Sequence, residues 1–523
     1  MSADPNLAAD FINGDISFWV RAEGRPPQRQ PLPGPIDADV AIVGAGMTGL
    51  WSAYYLKQAR PELDIVVIEK EFAGFGASGR NGGWMSAKSP GQFRRYAKAG
   101  GVDAAVALER EMFASVREAV DVAKQEGFGD HVVRDGLIHV ATSEAQLSRL
   151  RAETAKLEDH GWKRDEDFVV LSPSELHQRV HVNRAKGAYW SPHCARINPA
   201  QFTFGLAETV ERMGVRIYEG TTATAVAPRA VHTDRGRVSA KFVVQALEGY
   251  TCTLEGQRRR LLPMNSSMVV TERLTDEQFA SVAWHGAELM GDVAHNFAYI
   301  QRTADNRIAL GGRGVPYNFG SSFDRRGRTA DAAVRQLGAR LVELFPGLRD
   351  VKLEQSWSGV LGVPRDWCAG VEFDPASGVA SAGGYVGHGV TGTNLAGRTV
   401  RDLILGESTE LTRLPWVGHR ARNWEFEPLR WLAARALYAV YRFADREEYR
   451  TGAPRTHVSA KMANLISGRC PAGGAPPRGC RAPIPPAPSG RAMRGHRTAA
   501  RRASLLGYTF AKLLRYRFGV KPL

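Results

Sequence analysis

The chain has 523 residues, 43% hydrophobic and 24% charged, a globular composition that excludes a wholly disordered or fibrous protein. No apolar run reaches the roughly 18 residues of a spanning helix, so no transmembrane segment is expected. The net charge of +15 is unevenly placed: Arg455 to Leu523 carries fourteen Lys and Arg and no acid, leaving the first 454 residues nearly neutral. A basic face on a folded body would point to nucleic acid; a basic tail does not, and no specific nucleic-acid partner is expected.

The opening MSADPNLAADFINGD has acids where a secretory leader carries bases. Five cysteines (Cys194, Cys252, Cys368, Cys470, Cys480) are scattered. They have neither disulfide-framework nor metal-ligand spacing, so a reducing cytoplasm and no metal are expected.

In chain order, residues 1–35 read as a stiff, Pro-rich lead-in without periodicity. Ala38 to Val43 is a short apolar, β-branched run suited to a buried parallel strand. Gly44-Ala-Gly46-Met47-Thr48-Gly49 follows, then a helix to Ala59, then a second buried strand from Asp64 to Glu69. This strand–helix–strand unit has the spacing of a dinucleotide site. Gly44 makes the turn, Gly46 admits a pyrophosphate to the backbone, Gly49 lets helix meet strand, and Glu69 accepts from a ribose diol. NAD and FAD both fit so far.

A second glycine-rich loop, Gly74-Phe-Gly76-Ala77-Ser78-Gly79-Arg80-Asn81-Gly82-Gly83-Trp84, suits backbone donors around a phosphate and a polar ring edge, or else a surface turn. Val102 to Leu157 is helical in composition, interrupted by a strand pair near Gly136–Val140; Gly187–Gln201 reads as loop and Phe202–Arg212 as helix. Strands are expected at Val215–Tyr218, Ala223–Ala227, Phe242–Gln245, Ser267–Glu272, Phe297–Thr303 and Arg307–Leu310.

A third glycine cluster, Gly383-Gly384-Tyr-Val-Gly387-His388-Gly389-Val-Thr391, opens a helix to Leu405 whose N-terminus would stabilise negative charge on a ligand. His388 alone would be an ordinary loop histidine. Pro428 to Arg446 is a further helix with an apolar face that reads as core packing, and the segment from Arg455 reads as largely disordered. His177 and His181 share a helix face without a third ligand, so a solvated pair is the better reading.

The three loops, with SPHCARINPAQF at 191–202, resemble the FAD-dependent D-amino acid oxidase superfamily, and within it the gamma-glutamylputrescine oxidase-like branch. The resemblance covers about residues 36–445. It implies oxidation of an amine or amino acid by hydride transfer to flavin N5, giving an imine that hydrolyses, with electrons passed to oxygen. Two alternatives stand beside it: a dehydrogenase feeding a quinone or carrier protein, and a flavin-binding protein without turnover.

For the cofactor the resemblance implies Gly44, Gly46, Met47, Thr48, Gly49, Glu69 and Lys70 at the ADP half. Gly76, Ala77, Ser78, Arg80, Asn81, Gly82 and Gly83 would lie along the pyrophosphate and flavin, with Val226 and Gly249 as further contacts. Gly384, Gly387, His388, Gly389 and Thr391 would lie beside the isoalloxazine. His388, Arg313, Tyr317 and Trp84 are the catalytic candidates; Arg313 could anchor a carboxylate or make a structural ion pair.

The sarcosine oxidase branch tethers its flavin through a cysteine, where this chain has Ser358, so non-covalent FAD is expected and Cys368 reads as packed in a loop. That branch's lysine after the His-Gly pair is Thr391 here, which leaves the electron acceptor open. The expected fold is α/β: a discontinuous Rossmann-like FAD domain (36–100, 190–260, 355–412) and a mixed-sheet substrate domain (101–189, 261–354). A helical segment (413–454) and a basic Pro/Gly/Arg-rich tail (455–523) of unknown partner would follow.

Overall fold

The computed structural model describes residues 6–312 and 317–468, and two large sheets organise them. One is built on the parallel strands Ile36–Val43, Ile65–Ile68 and Arg216–Tyr218, with Gly236–Gln245 on the other side of Ile36–Val43 and Val379–Gly383 beyond it. Val40 to Val43 and Ile65 to Ile68 are almost wholly shielded from solvent, which is why they read as continuous apolar runs rather than alternating ones. The helices Met47–Ala59 and Gly389–Leu405 pack together on one face: a Cβ at Gly397 would lie 2.8 Å from Trp51, so only glycine permits their approach. The antiparallel strands Ala223–Ala227 and Ala230–Thr233 flank Gly236–Gln245 at the sheet's edge.

The second sheet has nine strands, in the order Leu7–Asn13, Leu353–Val363, Leu262–Thr271, Ile308–Gly312, Tyr299–Arg302, Leu289–Asp292, Leu137–Ala141, Gly187–Ser191, Val169–Leu171. The helix Asp331–Leu344 covers part of it, through Val334, Leu337 and Leu341.

Four regions differ from the sequence reading. The lead-in is structured: Leu7–Asn13 pairs in parallel with Leu353–Val363, and the helix Phe18–Glu23 buries Phe18, Trp19 and Val20 against Trp357. Leu353–Val363 belongs to the nine-stranded sheet, although the sequence placed everything from 355 with the cofactor domain. Its Ser, Gly and Trp residues are buried on both faces and so show no alternation. Gly187–Gln201 is not loop but two strands, Gly187–Ser191 and Cys194–Arg196, leading into the helix Pro199–Arg212. Finally, the segment from Arg455 opens with a helix, Val458–Ser467, that packs Ala460 and Ala463 onto Tyr441 and Ala444 of the helix Leu429–Thr451. The composition of a long basic stretch hid a ten-residue helix. The remainder of the tail, and Arg313, lie outside the described residues.

Candidate active site

The first glycine loop is sterically obligate. Gly44 has φ +105°, and a Cβ there would meet the Ala246 carbonyl oxygen at 2.8 Å. At Gly49 a Cβ would lie 2.0 Å from the Gly44 carbonyl oxygen, so any other residue separates helix from turn. Gly46 caps the Met47–Ala59 helix without a side-chain bond. At the end of the next strand Glu69 accepts from the Ala45 and Glu71 amides, each at 2.9 Å. Desolvation pushes its carboxyl up to about 7 against the pull of those two bonds. Lys70 beside it is exposed.

The second loop folds against the first. Ser78 Oγ accepts from the Met47 amide at 2.9 Å, so a hydroxyl stands at the helix N-terminus where an anion is favoured. Gly76 faces the Tyr250 ring, and Ala77 begins the short turn Ala77–Gly79. Asn81 spends its side chain on the loop, donating to Ala77 and Ser78 and accepting from the Gly83 amide. Arg80, read from the sequence as a cofactor contact, is buried and donates to the carbonyls of Phe75, Ser358 and Arg325. It is a clasp between this loop, the strand Leu353–Val363 and the segment near Arg325.

Against the same loop the nine-stranded sheet supplies residues that the sequence did not single out. Gln301 Nε2 donates to the Gly82 carbonyl at 2.7 Å, and the Tyr299 ring lies where a Gly82 Cβ would be, 2.8 Å away. Tyr299 bonds Ser266 through its hydroxyl at 2.8 Å and meets Trp84 edge-on at 6.2 Å. Gly83 and Gly311 are bare for the same reason: a Cβ would strike Gln301 in one case and the Tyr299 ring in the other. Strand register alone brings these groups together, and no local pattern announces it.

The third loop is held by a desolvated carboxylate that the sequence also missed. Glu248 accepts from Gly384 at 2.7 Å and Gly362 at 3.2 Å, and desolvation pushes it up to about 7. Its neighbour Gly249 presses on Val360, where a Cβ would come within 2.8 Å. Gly384 and Gly387 both have positive φ. Buried Tyr385 reaches back to Thr48 at 3.2 Å, tying the third loop to the Met47–Ala59 helix. His388, half-buried, is the cap of the Gly389–Leu405 helix, and one turn in, the Thr391 hydroxyl is buried with no hydrogen-bond partner.

Other candidates fall elsewhere. Val226 lies on the edge strand Ala223–Ala227, packed against the core near Val231. Tyr317, read as a catalytic candidate, is buried in a closed network: its hydroxyl donates to Glu427 at 2.5 Å and contacts Ser321, while Arg430 bonds both. Ser358 donates to the Arg328 carbonyl. Cys368 is buried, accepts from the Gln92 amide at 3.4 Å, and lies by the Asp366–His419 pair, itself 2.9 Å apart.

An orphaned hydroxyl at one helix N-terminus, a Ser hydroxyl at another, a buried acid and three bare glycine loops between them fit a flavin dinucleotide. The family model described as FAD dependent oxidoreductase matches residues 39–403. Gamma-glutamylputrescine oxidoreductase of Escherichia coli (strain K12) is 32% identical over 383 residues, covering 71% of this chain and 85% of that protein. The sarcosine oxidase subunit beta of an Arthrobacter species is 23% identical, covering 72% and 89%. Among solved structures, glycine oxidase from Geobacillus kaustophilus aligns with a TM-score of 0.59 at 22% identity, over 74% of this chain and 99% of that one. On a family match over residues 39–403 and a relative 32% identical across most of its length, the chain belongs to the FAD-dependent oxidoreductases of the D-amino acid oxidase family, and FAD is its cofactor.

Proposed function

We propose that this enzyme oxidises a carbon–nitrogen bond of a small amine or amino acid to an imine that water then hydrolyses, with FAD bound non-covalently. When bound, FAD supplies the hydride acceptor. In this reading the Met47–Ala59 helix N-terminus and Ser78 hold the pyrophosphate, Glu69 takes the ribose, and Val226 lies toward the adenine. The Gly389–Leu405 helix N-terminus, with Thr391, faces the charged edge of the ring and stabilises negative charge there. Trp84, Tyr299, Gln301 and Ser266 close the other side, orienting substrate and excluding water. His388 and Arg313 remain candidates for contact with the substrate.

The observation that carries the reading is the buried, unpartnered Thr391 hydroxyl in the first turn of a helix whose loop is anchored by Glu248. The names of the relatives, which concern a putrescine derivative, sarcosine and glycine, support the amine class. The test is anaerobic bleaching of the bound flavin across polyamines, N-methyl amino acids and D-amino acids. Bleaching by one class identifies the substrate; none by any of them sinks the reading. Non-covalent binding is checked by acid precipitation, with flavin left in the pellet as the contrary result.

A second reading concerns the acceptor. By the resemblance, Thr391 replaces a lysine of the sarcosine oxidase branch, which leaves a quinone or carrier protein open as an acceptor beside oxygen. Peroxide yield against dye reduction, measured on the same preparation, decides between the two.

A further inference from the structure

The helices Leu429–Thr451 and Val458–Ser467 form a hairpin with one buried side: Ala434, Tyr438, Tyr441 and Ala444 on the first, Ala460 and Ala463 on the second. The opposite arc of the first helix carries Leu432, Ala436, Ala439 and Phe443 at three- and four-residue spacing, all exposed. It continues onto the second helix through Val458, Met462 and Leu465, and Phe443 meets His457 edge-on at 5.6 Å where the two join. Among the described residues, nine of the thirteen exposed large apolar side chains lie between Phe426 and Ile466. Scattered exposed apolar groups need no explanation, but this concentration on one hairpin marks a contact surface.

The charges along one flank of that arc have one sign. Arg435, Arg442 and Arg446 line one flank, and desolvation together with repulsion from the other two lowers the Arg442 pKa. Lys461 lies on the second helix. The acids of the hairpin are engaged elsewhere: Asp445 accepts from the His295 and Asn296 amides, and Glu448 bonds Arg149 and His295, both facing inward. Glu447 pairs with Arg450, and Glu427 with Arg430.

We propose that this hairpin seats the protein on an anionic lipid surface, with the apolar arc in the headgroup–acyl boundary and the arginine flank against lipid phosphates. An apolar arc bordered by cations is what such an interface requires. A second copy packed hairpin to hairpin would cover the arc, but its hairpin acids, already paired, would bring no free anion to the arginine flank. The sequence that follows adds only further bases. The proposal stands independently of the substrate reading.

The test is co-flotation of the full-length flavoprotein with vesicles of phosphatidylcholine alone and of phosphatidylcholine with about one-third phosphatidylglycerol, at low and high salt. The native chain should float with the anionic vesicles only, and a fraction should persist at high salt, because apolar insertion is not screened. The variant Leu432→Ser/Phe443→Ser/Leu465→Ser, checked for unchanged flavin content and thermal unfolding, should lose about tenfold or more of its partitioning and all of the salt-resistant fraction. Three results would overturn the proposal. They are flotation of the variant equal to the native chain, which assigns binding to the tail; no flotation of the native chain; and a variant that changes only oligomeric state, which assigns the arc to self-association.

Discussion

At the base of the cofactor crevice, Glu69 satisfies both oxygens with the chain's own amides, from Ala45 and Glu71, and desolvation holds its pKa near 7. If Glu69 takes the ribose as proposed, a diol donating to that carboxylate favours its ionised form, so that cofactor binding would release a proton and affinity would rise as the pH climbs through about 7. In the cofactor-free protein the sign is opposite. The raised pKa contributes stability at acid pH that is lost as the pH rises through the same window. FAD titrations should therefore give a lower Kd at pH 8 than at pH 6, with Glu69→Gln flattening the difference. Glu69→Ala should weaken binding by about tenfold or more, the worth of a charge-assisted hydrogen bond of roughly 1.5–3 kcal/mol; an unchanged Kd would take Glu69 out of the ribose site. Gly49→Ala, with its Cβ 2.0 Å from the Gly44 carbonyl oxygen, should lose bound flavin altogether, read as the absorbance of the purified protein. These residues were legible because their roles are local steric and spacing facts. Arg80 was legible only as a type: long-range partners at Ser358 and Arg325 decided that it clasps backbone.

In the proposed reading the element nearest the flavin edge is the loop between Val379–Gly383 and Gly389–Leu405, and Glu248 is its anchor. Glu248→Ala leaves the Gly384 and Gly362 amides without an acceptor, each costing about 1–3 kcal/mol when buried. We expect a melting temperature lower by several degrees and weakened FAD binding, with Glu248→Gln between the two because it keeps one acceptor oxygen. Thermal unfolding with and without FAD measures both, and an unaltered melting curve would contradict the anchor. The parallel strands and their connecting helix were readable because each is a short apolar or periodic run. Leu353–Val363 was not, since Ser356, Trp357, Ser358 and Gly359 are buried by neighbours on both faces and carry no period.

At the scale of the described molecule, its first and last elements brace the body. Arg149 of the helix Glu144–Asp159 pairs with Glu448 of the helix Leu429–Thr451 at 2.7 Å, and His295 meets the same carboxylate at 2.9 Å. Burial raises the Glu448 carboxyl, but the His295 bond and the Arg149 guanidinium outweigh it and bring the pKa down to about 2. Its contribution is therefore present above the ordinary carboxylate range and lost as the pH falls toward 2. His457, just before the last described helix, donates its amide to Glu448 at 2.8 Å. A chain stopped after Pro454 loses that bond and uncovers Tyr441 and Ala444, whereas one stopped after Gly468 keeps both. Differential scanning calorimetry should show a lower melting temperature for the first and an unchanged one for the second. Equal values for the two would mean that Val458–Ser467 adds nothing to the fold.

What the sequence by itself determined was the strand–helix–strand unit around Gly44, Gly46, Gly49 and Glu69, the three glycine loops, and through them the family and its cofactor. These are short-range features: a steric demand at one φ, a buried run, an acid one strand away. Tertiary structure alone decided what meets the second glycine loop from the other sheet and what ties in the first and last described elements. Tyr299 and Gln301 reach Gly82 only through the register of the nine-stranded sheet. Asn13 bonds Thr329, and Arg149 bonds Glu448, across some three hundred residues. Such pairings depend on how whole elements pack, and neither residue type nor local spacing encodes them.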